Sequence, residues 1–172
     1  MTVLGIDGHD GSGKTTLAEN LAGRLGGSYR RPFAGQMGRE FLAAGESGEF
    51  SRAIELGAAA IDRAISEPDL RAPVVLDRSW ITVASVTPWD LFSRQWTHWL
   101  PTMVCWCDLE TTLRRLAQRS EKSADVAWHE HYISRYQELA NIGRCPVIRT
   151  DELDETQSLE LALAYARELL TA

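Results

Sequence analysis

Apolar residues along the chain fall into short runs that predict buried β-strands. Each run ends at an aspartate or directly before one, as parallel strands often do where they bring a charged side chain to the edge of a sheet. The runs are Thr2–Asp7, Val74–Asp77, Thr102–Cys107 and Pro146–Thr150. Longer stretches of helical periodicity separate them, so the pattern predicts βαβ crossovers and a parallel sheet.

Four stretches have apolar residues at the three- and four-residue spacing of helices that pack one face on a core. They are the segment around Leu21, which stops at Gly26-Gly27; Ser51–Ile65; Trp128–Asn141; and a last helix from Leu159 to Leu170 with Thr156 as its N-cap. The segment Phe33–Phe50 contains four glycines. It is therefore predicted to be a loop with at most a short helix.

Length and charge narrow the class of protein. The 172 residues favour a single domain spanning 1–172. The chain has 18 Lys and Arg and 24 Asp and Glu, so its net charge is -6. Because this charge is negative, we expect neither a nucleic acid polymer nor an anionic membrane as partner. No apolar run is long enough for a membrane span. An anionic ligand must therefore be bound by local arginines.

The start of the chain and its cysteines favour a cytoplasmic protein. The opening MTVLGIDG lacks the basic and long apolar regions of a secretory signal. Cys105, Cys107 and Cys145 are odd in number and lie in or beside predicted strands, which favours reduced thiols. A metal site on Cys105 and Cys107 is disfavoured, because no second pair of Cys or His stands at zinc-finger spacing.

One motif carries specific chemistry. The segment from Gly8 to Thr15, GHDGSGKT, matches G-x-x-x-x-G-K-[ST] and lies between a predicted strand and a predicted helix, as a phosphate-binding P-loop does. Its backbone N–H groups converge on phosphate oxygens, Lys14 can reach the β- and γ-phosphates, and Thr15 offers a hydroxyl to Mg²⁺. ATP and Mg²⁺ are therefore the expected cofactors. The residues expected to bind ATP are Gly8, His9, Asp10, Gly11, Ser12, Gly13, Lys14, Thr15 and Thr16.

Four charged residues outside the P-loop fit phosphoryl transfer. Asp77 at a strand end can hold a Mg²⁺-bound water or accept a proton, and Arg78 can bind an anionic acceptor. A structural salt bridge is the alternative for this pair. Arg115 and Arg119 share one face of a predicted helix, and the polar run after them fits a lid at about 114–128 that closes over ATP. A solvated basic face is the alternative there.

Several segments resemble thymidylate kinases and deoxynucleoside kinases in the same order along the chain. The stretch Ile6–Thr16, with an aspartate inside the loop, resembles the P-loop of thymidylate kinases. Arg30-Arg31-Pro32 is similar to their Arg-Glu-Pro segment after the second strand. Asp77-Arg78-Ser79 resembles their Asp-Arg-Tyr motif and equally the Glu-Arg-Ser motif of deoxynucleoside kinases. Arg115 and Arg119 look like the lid arginines of both families, and residues 131–140 are similar to the helix that follows the lid.

The resemblance implies a fold, a reaction and a set of roles. The fold would be a three-layer α/β/α sandwich with a five-stranded parallel sheet. The reaction would be transfer of the γ-phosphoryl of ATP·Mg to a small acceptor, with a nucleoside monophosphate as first choice. The catalytic residues would be Lys14, Asp77, Arg78, Arg115 and Arg119, the acceptor-binding residues Asp10, Arg31, Arg78 and Trp80, and the metal ligands Thr15 and Asp77. A homodimer through the Ser51–Ile65 helix is an expectation by analogy with these kinases.

Two departures from thymidylate kinases keep other functions open. Arg31 stands where they have a glutamate, which favours a more anionic acceptor or another base, with Asp10 and Asp77 as candidates. The residues that read thymine in that family are replaced by Thr82, Ser85, Val86 and Thr87. The alternatives are a kinase of a neutral nucleoside or another small metabolite, and a non-kinase ATP-binding or ATPase regulatory module. A motor or AAA-type ATPase is disfavoured by the short chain and by the lack of a clear arginine-finger region after the last strand.

Trp80 and three histidines have positions open to more than one interpretation. A planar acceptor can stack on Trp80, directly after the Asp-Arg-Ser motif, although a core position fits this residue equally. His9 inside the P-loop can contact phosphate or the lid, or be structural. His129 and His131 diverge by roughly 200° around a helix. They are expected to be surface and cap residues and not metal ligands.

Overall fold

A computed structural model of the chain describes residues 2–66, 72–119 and 124–171, with the side chains of all of these except 170 and 171. Its strands are β1 (Val3–Asp7), β2 (Ser28–Arg30), β3 (Val74–Asp77), β4 (Thr102–Trp106) and β5 (Val147–Arg149). Its helices are α1 (Lys14–Arg24), α2 (Gly35–Glu46), α3 (Phe50–Ile65), α4 (Trp80–Ser85), α5 (Trp89–Gln95), α6 (Leu109–Gln118), α7 (Val126–Ile142) and α8 (Glu155–Thr171).

The five strands form one sheet in the order β2-β3-β1-β4-β5, and every neighbouring pair is parallel. The predicted five-stranded parallel sheet is confirmed. The apolar runs locate four strands correctly but miss β2, a three-residue edge strand whose residues are only half-buried. Ile6 of β1 pairs with Asp77 of β3. This register brings the end of β3 level with the start of the P-loop.

Helices cover both faces of the sheet, so the three-layer architecture is also confirmed. On one face, α1 and α8 pack Leu21 and Ala162 against Ile6 and Met103. On the other face, helices α2 to α5 and α7 share a second cluster with the sheet, built around Phe92. Truncating a buried Leu or Phe to Ala typically lowers the free energy of unfolding by about 2–5 kcal/mol. The two helix layers therefore stabilise the sheet strongly and hold in place the edge that carries the P-loop.

The segment predicted as a loop is mostly helix, and this prediction is wrong. Helix α2 has 12 residues and contains Gly38 and Gly45. A Cβ on Gly38 would lie 1.9 Å from the carbonyl oxygen of Phe33, and one on Gly45 would lie 3.2 Å from a methyl of Val86. The two glycines therefore serve close packing inside a helix, which outweighs their low helix propensity.

The start of α8 also differs from its prediction. The backbone N–H of Gln157 donates a 2.8 Å hydrogen bond to Oδ1 of Asp154, so the capping side chain is Asp154 and not Thr156. The prediction of Thr156 is therefore wrong by two residues, because Asp caps a helix by the same bond as Thr and helix ends are the least certain part of a sequence pattern. Among the helices of the described ranges, none has the length and hydropathy that crossing a bilayer requires.

Candidate active site

The loop between β1 and α1 is shaped to surround an anion. Gly11 and Gly13 have φ values of 79° and 82°, a left-handed conformation that glycine adopts without a steric penalty. Gly13 is the N-cap of α1, so the N-terminus of an 11-residue helix faces into the loop. Unpaired backbone N–H groups and the helix dipole make such a terminus a phosphate site.

Lys14 is held inside this loop. Its Nζ donates to the carbonyl oxygen of His9 at 3.3 Å and lies 3.5 Å from Oδ1 of Asp10. Burial, together with the charge of Arg78, lowers the pKa of Lys14 to about 8. The ammonium is therefore mostly charged at neutral pH, but it is poorly solvated, so a phosphate oxygen is a favourable partner.

Asp77 and Thr15 meet where β3 ends beside α1. The hydroxyl of Thr15 donates a 2.7 Å hydrogen bond to Oδ2 of Asp77, and the hydroxyl of Tyr29 donates to the same oxygen at 2.9 Å. The other oxygen, Oδ1, is buried and has no hydrogen-bond partner among the described residues. A carboxylate oxygen with spare capacity beside a hydroxyl is the donor set that Mg²⁺ prefers, so these residues fit the predicted metal.

Asp10 and Arg78 form an ion pair across the mouth of the loop. Nη2 of Arg78 lies 2.6 Å from Oδ1 of Asp10, and Nη1 donates to the Tyr136 hydroxyl at 3.2 Å. Burial raises the pKa of Asp10, but the charges of Lys14 and Arg78 outweigh it and lower the pKa to about 2. Such a carboxylate is a weak base at neutral pH, so Asp10 is suited to orienting groups and not to proton abstraction.

A buried aspartate that the sequence analysis did not select fixes the turn after β3. Asp7 accepts hydrogen bonds from the backbone N–H of Ser79 at 2.9 Å and of Thr82 at 3.1 Å. Its burial raises its pKa. These bonds hold Arg78 at a φ of 80°, an uncommon conformation for a residue with a side chain. The sequence contains a signal for this role of Asp7, because the apolar run of β1, like that of β3, ends in an acidic residue.

Three neighbouring cavities surround the loop. The α1–α8 cavity, of about 430 Å³, lies between α1, the end of α6 and the start of α8. The loop cavity, of about 200 Å³, contains Lys14, Thr15 and Asp77. The aromatic cavity, of about 310 Å³, lies between α2, α4 and α7. Arg119 lines the first two cavities, whereas Asp10 and Arg78 line the last two, so the three spaces are adjacent.

The aromatic cavity has flat apolar walls and a polar end at the loop. The rings that line it are those of Phe33, Phe41, Trp128, Tyr132 and Tyr136, together with the imidazole of His9. Its charged residues are Asp10, Arg78 and Glu46. The sequence analysis assigned the α7 rings to the core and Phe41 to a loop. The sequence contains a signal for this wall of the cavity. Gly38, Phe41 and Gly45 have the spacing of one helix face, on which two small residues flank a ring.

The predicted site residues do not all converge. Arg31 lines the loop cavity, with its Nε 3.7 Å from Oδ2 of Asp77, so it joins Lys14 and Arg78 as expected. Trp80 lies elsewhere than expected. It is buried in the core, donates its Nε1–H to the carbonyl of Leu100 at 3.2 Å, and is absent from the linings of the three cavities. A ring packed in this way cannot stack on an acceptor.

The two predicted lid arginines have different environments. Arg115 donates to the carbonyl oxygen of Gly11 at 3.0 Å and to that of Thr150 at 2.6 Å, so it braces the back of the P-loop. Arg119 is exposed at the end of α6 and lines both the α1–α8 cavity and the loop cavity. Residues 120–123 of the predicted lid lie outside the described residues.

His129 is not a surface residue, which corrects the expectation for it. Its side chain is buried in α7, and its Nδ1 lies 2.7 Å from Nε2 of His9 in the P-loop. The cap of α7 is Asp125, which accepts from the backbone N–H of Trp128. His131, two residues further along the helix, is exposed as expected.

A known protein family matches most of the chain. The model of a family described as AAA domain matches residues 3–139, which include the P-loop, Asp77, Arg78 and most of α7. This match identifies the domain and not its activity, so the expectation that disfavours a motor or AAA-type ATPase stays a prediction. No curated protein sequence matches the chain.

Solved structures match the fold over nearly the whole chain. Deoxyadenosine kinase from M. mycoides with the products dCMP and dCDP bound is 14% identical, with a TM-score of 0.65, over 97% of this chain and 100% of that one. The same enzyme with dATP bound is also 14% identical, with a TM-score of 0.65, over 95% of this chain and 98% of that one. With dCTP bound, the sequence identity is 13% and the TM-score 0.60, over 97% of this chain and 100% of that one. The fold is therefore that of P-loop kinases of the nucleotide-kinase type.

Proposed function

The chain belongs to the AAA domain family, and from this premise we propose that it is a P-loop kinase that transfers the γ-phosphoryl group of ATP·Mg to a small acceptor. The observation that carries the proposal is the aromatic cavity, which meets the P-loop at Asp10 and Arg78. An ATPase needs only water at this position. A ring-lined cavity of about 310 Å³ that opens onto the phosphate loop is suited to a second substrate.

The donor side accounts for the P-loop residues. ATP phosphates lie on the backbone of the loop from Gly8 to Thr16, and Lys14 contacts the β- and γ-phosphates. Thr15 and Asp77 would hold Mg²⁺, which neutralises charge on the phosphate oxygens when it is bound. Arg119, at the border of the α1–α8 and loop cavities, is placed to reach the transferred group.

The charge of the loop cavity favours an anionic acceptor. Four cationic side chains line it against two carboxylates: Lys14, Arg31, Arg78 and Arg119 against Asp10 and Asp77. Guanidinium groups bind phosphate oxygens through paired hydrogen bonds. A nucleoside monophosphate has a phosphate for this cavity and a planar base for the aromatic cavity. One fold relative, a deoxyadenosine kinase, was solved with the product dCMP, which a kinase forms from a neutral nucleoside, so that relative favours a neutral acceptor instead.

A neutral nucleoside or another small alcohol is the second candidate. The observation that favours it is the 2.6 Å ion pair between Arg78 and Asp10, together with the carboxylate of Asp77 beside Arg31. Each arginine near the acceptor thus already has a carboxylate partner. In this version Asp10 orients the attacking hydroxyl, which suffices because a mainly dissociative transition state needs little base catalysis.

Matched acceptor pairs test the proposal and separate the two candidates. ADP formation is measured with each nucleoside and with its 5′-monophosphate, for the native protein and for Arg78→Ala. We expect the monophosphate to be the better substrate and Arg78→Ala to raise its KM far more than the KM for ATP. A better rate with the neutral nucleoside supports the second candidate. ADP formation that no acceptor accelerates contradicts the kinase proposal and supports a regulatory ATPase.

A cytoplasmic location and a homodimer through α3 stay predictions.

A further inference from the structure

His9 and His129 form a buried contact that phosphoryl transfer as described above leaves unused. The two residues are 120 positions apart, and their side chains meet with 2.7 Å between Nε2 of His9 and Nδ1 of His129. Their rings are 5.0 Å apart and nearly perpendicular. Both residues are buried, at 5% and 2% exposure. A buried hydrogen bond between side chains is costly to disrupt, because each freed polar atom loses its partner without gaining water.

The contact acts on the backbone that binds phosphate. The carbonyl oxygen of His9 accepts from the backbone N–H of Ser12 at 3.2 Å and from Nζ of Lys14 at 3.3 Å. The side chain of His9 is fixed by α7, and its carbonyl organises the rest of the loop. Burial of the His9 ring lowers its pKa to about 4. The ring is therefore neutral at pH 7 and has both a donor and an acceptor nitrogen for this contact.

The other end of the contact lies on the helix that forms the aromatic cavity. The ring of Trp128 is 5.3 Å from that of His9, and the ring of Tyr132 stacks on His9 at 6.2 Å. His9, Trp128 and Tyr132 all line the aromatic cavity. His129 lies within one helical turn of both Trp128 and Tyr132, so α7 contacts His9 of the P-loop at the same place where it lines the aromatic cavity.

We propose that His129 is a positioning residue that holds the P-loop in its phosphate-binding conformation through His9, and that it joins the donor loop to the helix of the aromatic cavity. This inference rests on the proposed function only in taking ATP as the ligand of the loop. His129 acts through His9, since His129 itself is not among the residues that line the three cavities.

The test measures binding of a non-hydrolysable ATP analogue with Mg²⁺ by calorimetry. His129→Leu removes both ring nitrogens and fills the buried position with an apolar side chain of similar size. His129→Asn retains a polar atom close to the position of Nδ1. His131→Leu, on the exposed face of the same helix, is the matched control. We expect His129→Leu to weaken analogue binding about tenfold, the equivalent of one hydrogen bond. His129→Asn should recover most of the affinity, and the control should bind as the native protein does.

A double variant separates positioning from general loss of structure. If His129 acts through His9, then His9→Leu with His129→Leu should bind the analogue no more weakly than His9→Leu alone. Equal affinity in the native protein and in His129→Leu overturns the inference, and so does a weakening that His129→Asn fails to relieve. Absence of analogue binding by the native protein contradicts the proposed function itself, which distinguishes the two failures.

Discussion

The hydroxyl of Thr15 donates a 2.7 Å hydrogen bond to Oδ2 of Asp77, which joins the first turn of α1 to the end of β3. The residues are 62 positions apart, and the parallel register of β1 and β3 brings them together. Asp77 keeps its second oxygen buried and without a partner among the described residues. This pairing is the basis of the proposed metal site.

Asp77→Asn should therefore reduce turnover and change its Mg²⁺ dependence. The amide keeps an oxygen that can accept from Thr15 but removes the charge that a dication requires. We expect a loss of turnover of about 100-fold or more and a higher Mg²⁺ concentration at half-maximal rate. Titration of Mg²⁺ against the initial rate checks this, with the exposed Glu130→Gln as control. An unchanged Mg²⁺ dependence contradicts the assignment.

Lys14→Met should abolish turnover, and it should stabilise the nucleotide-free protein against unfolding. Because burial lowers the pKa of Lys14 to about 8 from 10.5, the folded protein binds fewer protons than the unfolded chain between these values. The charged lysine is thus destabilising below pH 8, and this penalty disappears as the pH rises towards 10.5. Methionine removes it, so we expect unfolding at pH 7 to cost about 1–3 kcal/mol more in the variant. Urea unfolding at pH 7 and pH 9.5 should show a gain that shrinks at the higher pH.

Substitutions of the two α6 arginines should have different effects. Arg115→Ala frees two buried carbonyls at the back of the P-loop, so we expect it to lower the free energy of unfolding by about 1–3 kcal/mol. Arg119→Ala removes an exposed cation that lines two cavities, so kcat should fall about tenfold or more with little change in stability. Denaturation curves and steady-state kinetics on both variants check this. Equal loss of stability in the two variants would contradict the assignment of Arg115 to bracing the P-loop and of Arg119 to the reaction.

The ring that contacts the acceptor should be Trp128 and not Trp80. Trp128→Ala removes part of the wall of the aromatic cavity, and we expect it to raise the acceptor KM about tenfold. Trp80→Phe loses the hydrogen bond to the carbonyl of Leu100, so it should lower stability by about 1 kcal/mol and leave the acceptor KM unchanged. Trp99→Ala, at a half-exposed position outside the cavity, is the control. A higher acceptor KM in Trp80→Phe alone would contradict this assignment.

The sequence predicts the sheet and the phosphate loop well because both depend on local patterns. Apolar runs mark the central strands, and the P-loop residues are contiguous. The acceptor side is assembled from α2, α4 and α7, and no periodicity shows which of their faces meet. The four glycines of Phe33–Phe50 predict a loop, whereas in the fold Gly38 lies in a helix because it approaches Phe33 closely.

Single side chains were hardest to place where two environments are chemically compatible. An indole fits a core as well as an acceptor site, and the packing of Trp80 follows from its neighbours in α5 and the segment after it. Likewise, the helical spacing of His129 and His131 correctly separates their directions. It does not reveal that the P-loop, 120 residues earlier, supplies a partner for one of them.

The most direct test of the central claim follows the terminal phosphate of ATP. The native protein is incubated with Mg²⁺ and ATP labelled in the γ-phosphate, with and without a nucleoside monophosphate, and the products are separated. The account predicts that the label appears in the corresponding nucleoside diphosphate in step with ADP formation, and that Lys14→Met forms almost none. Label released only as inorganic phosphate, at the same rate with and without any acceptor, would contradict it.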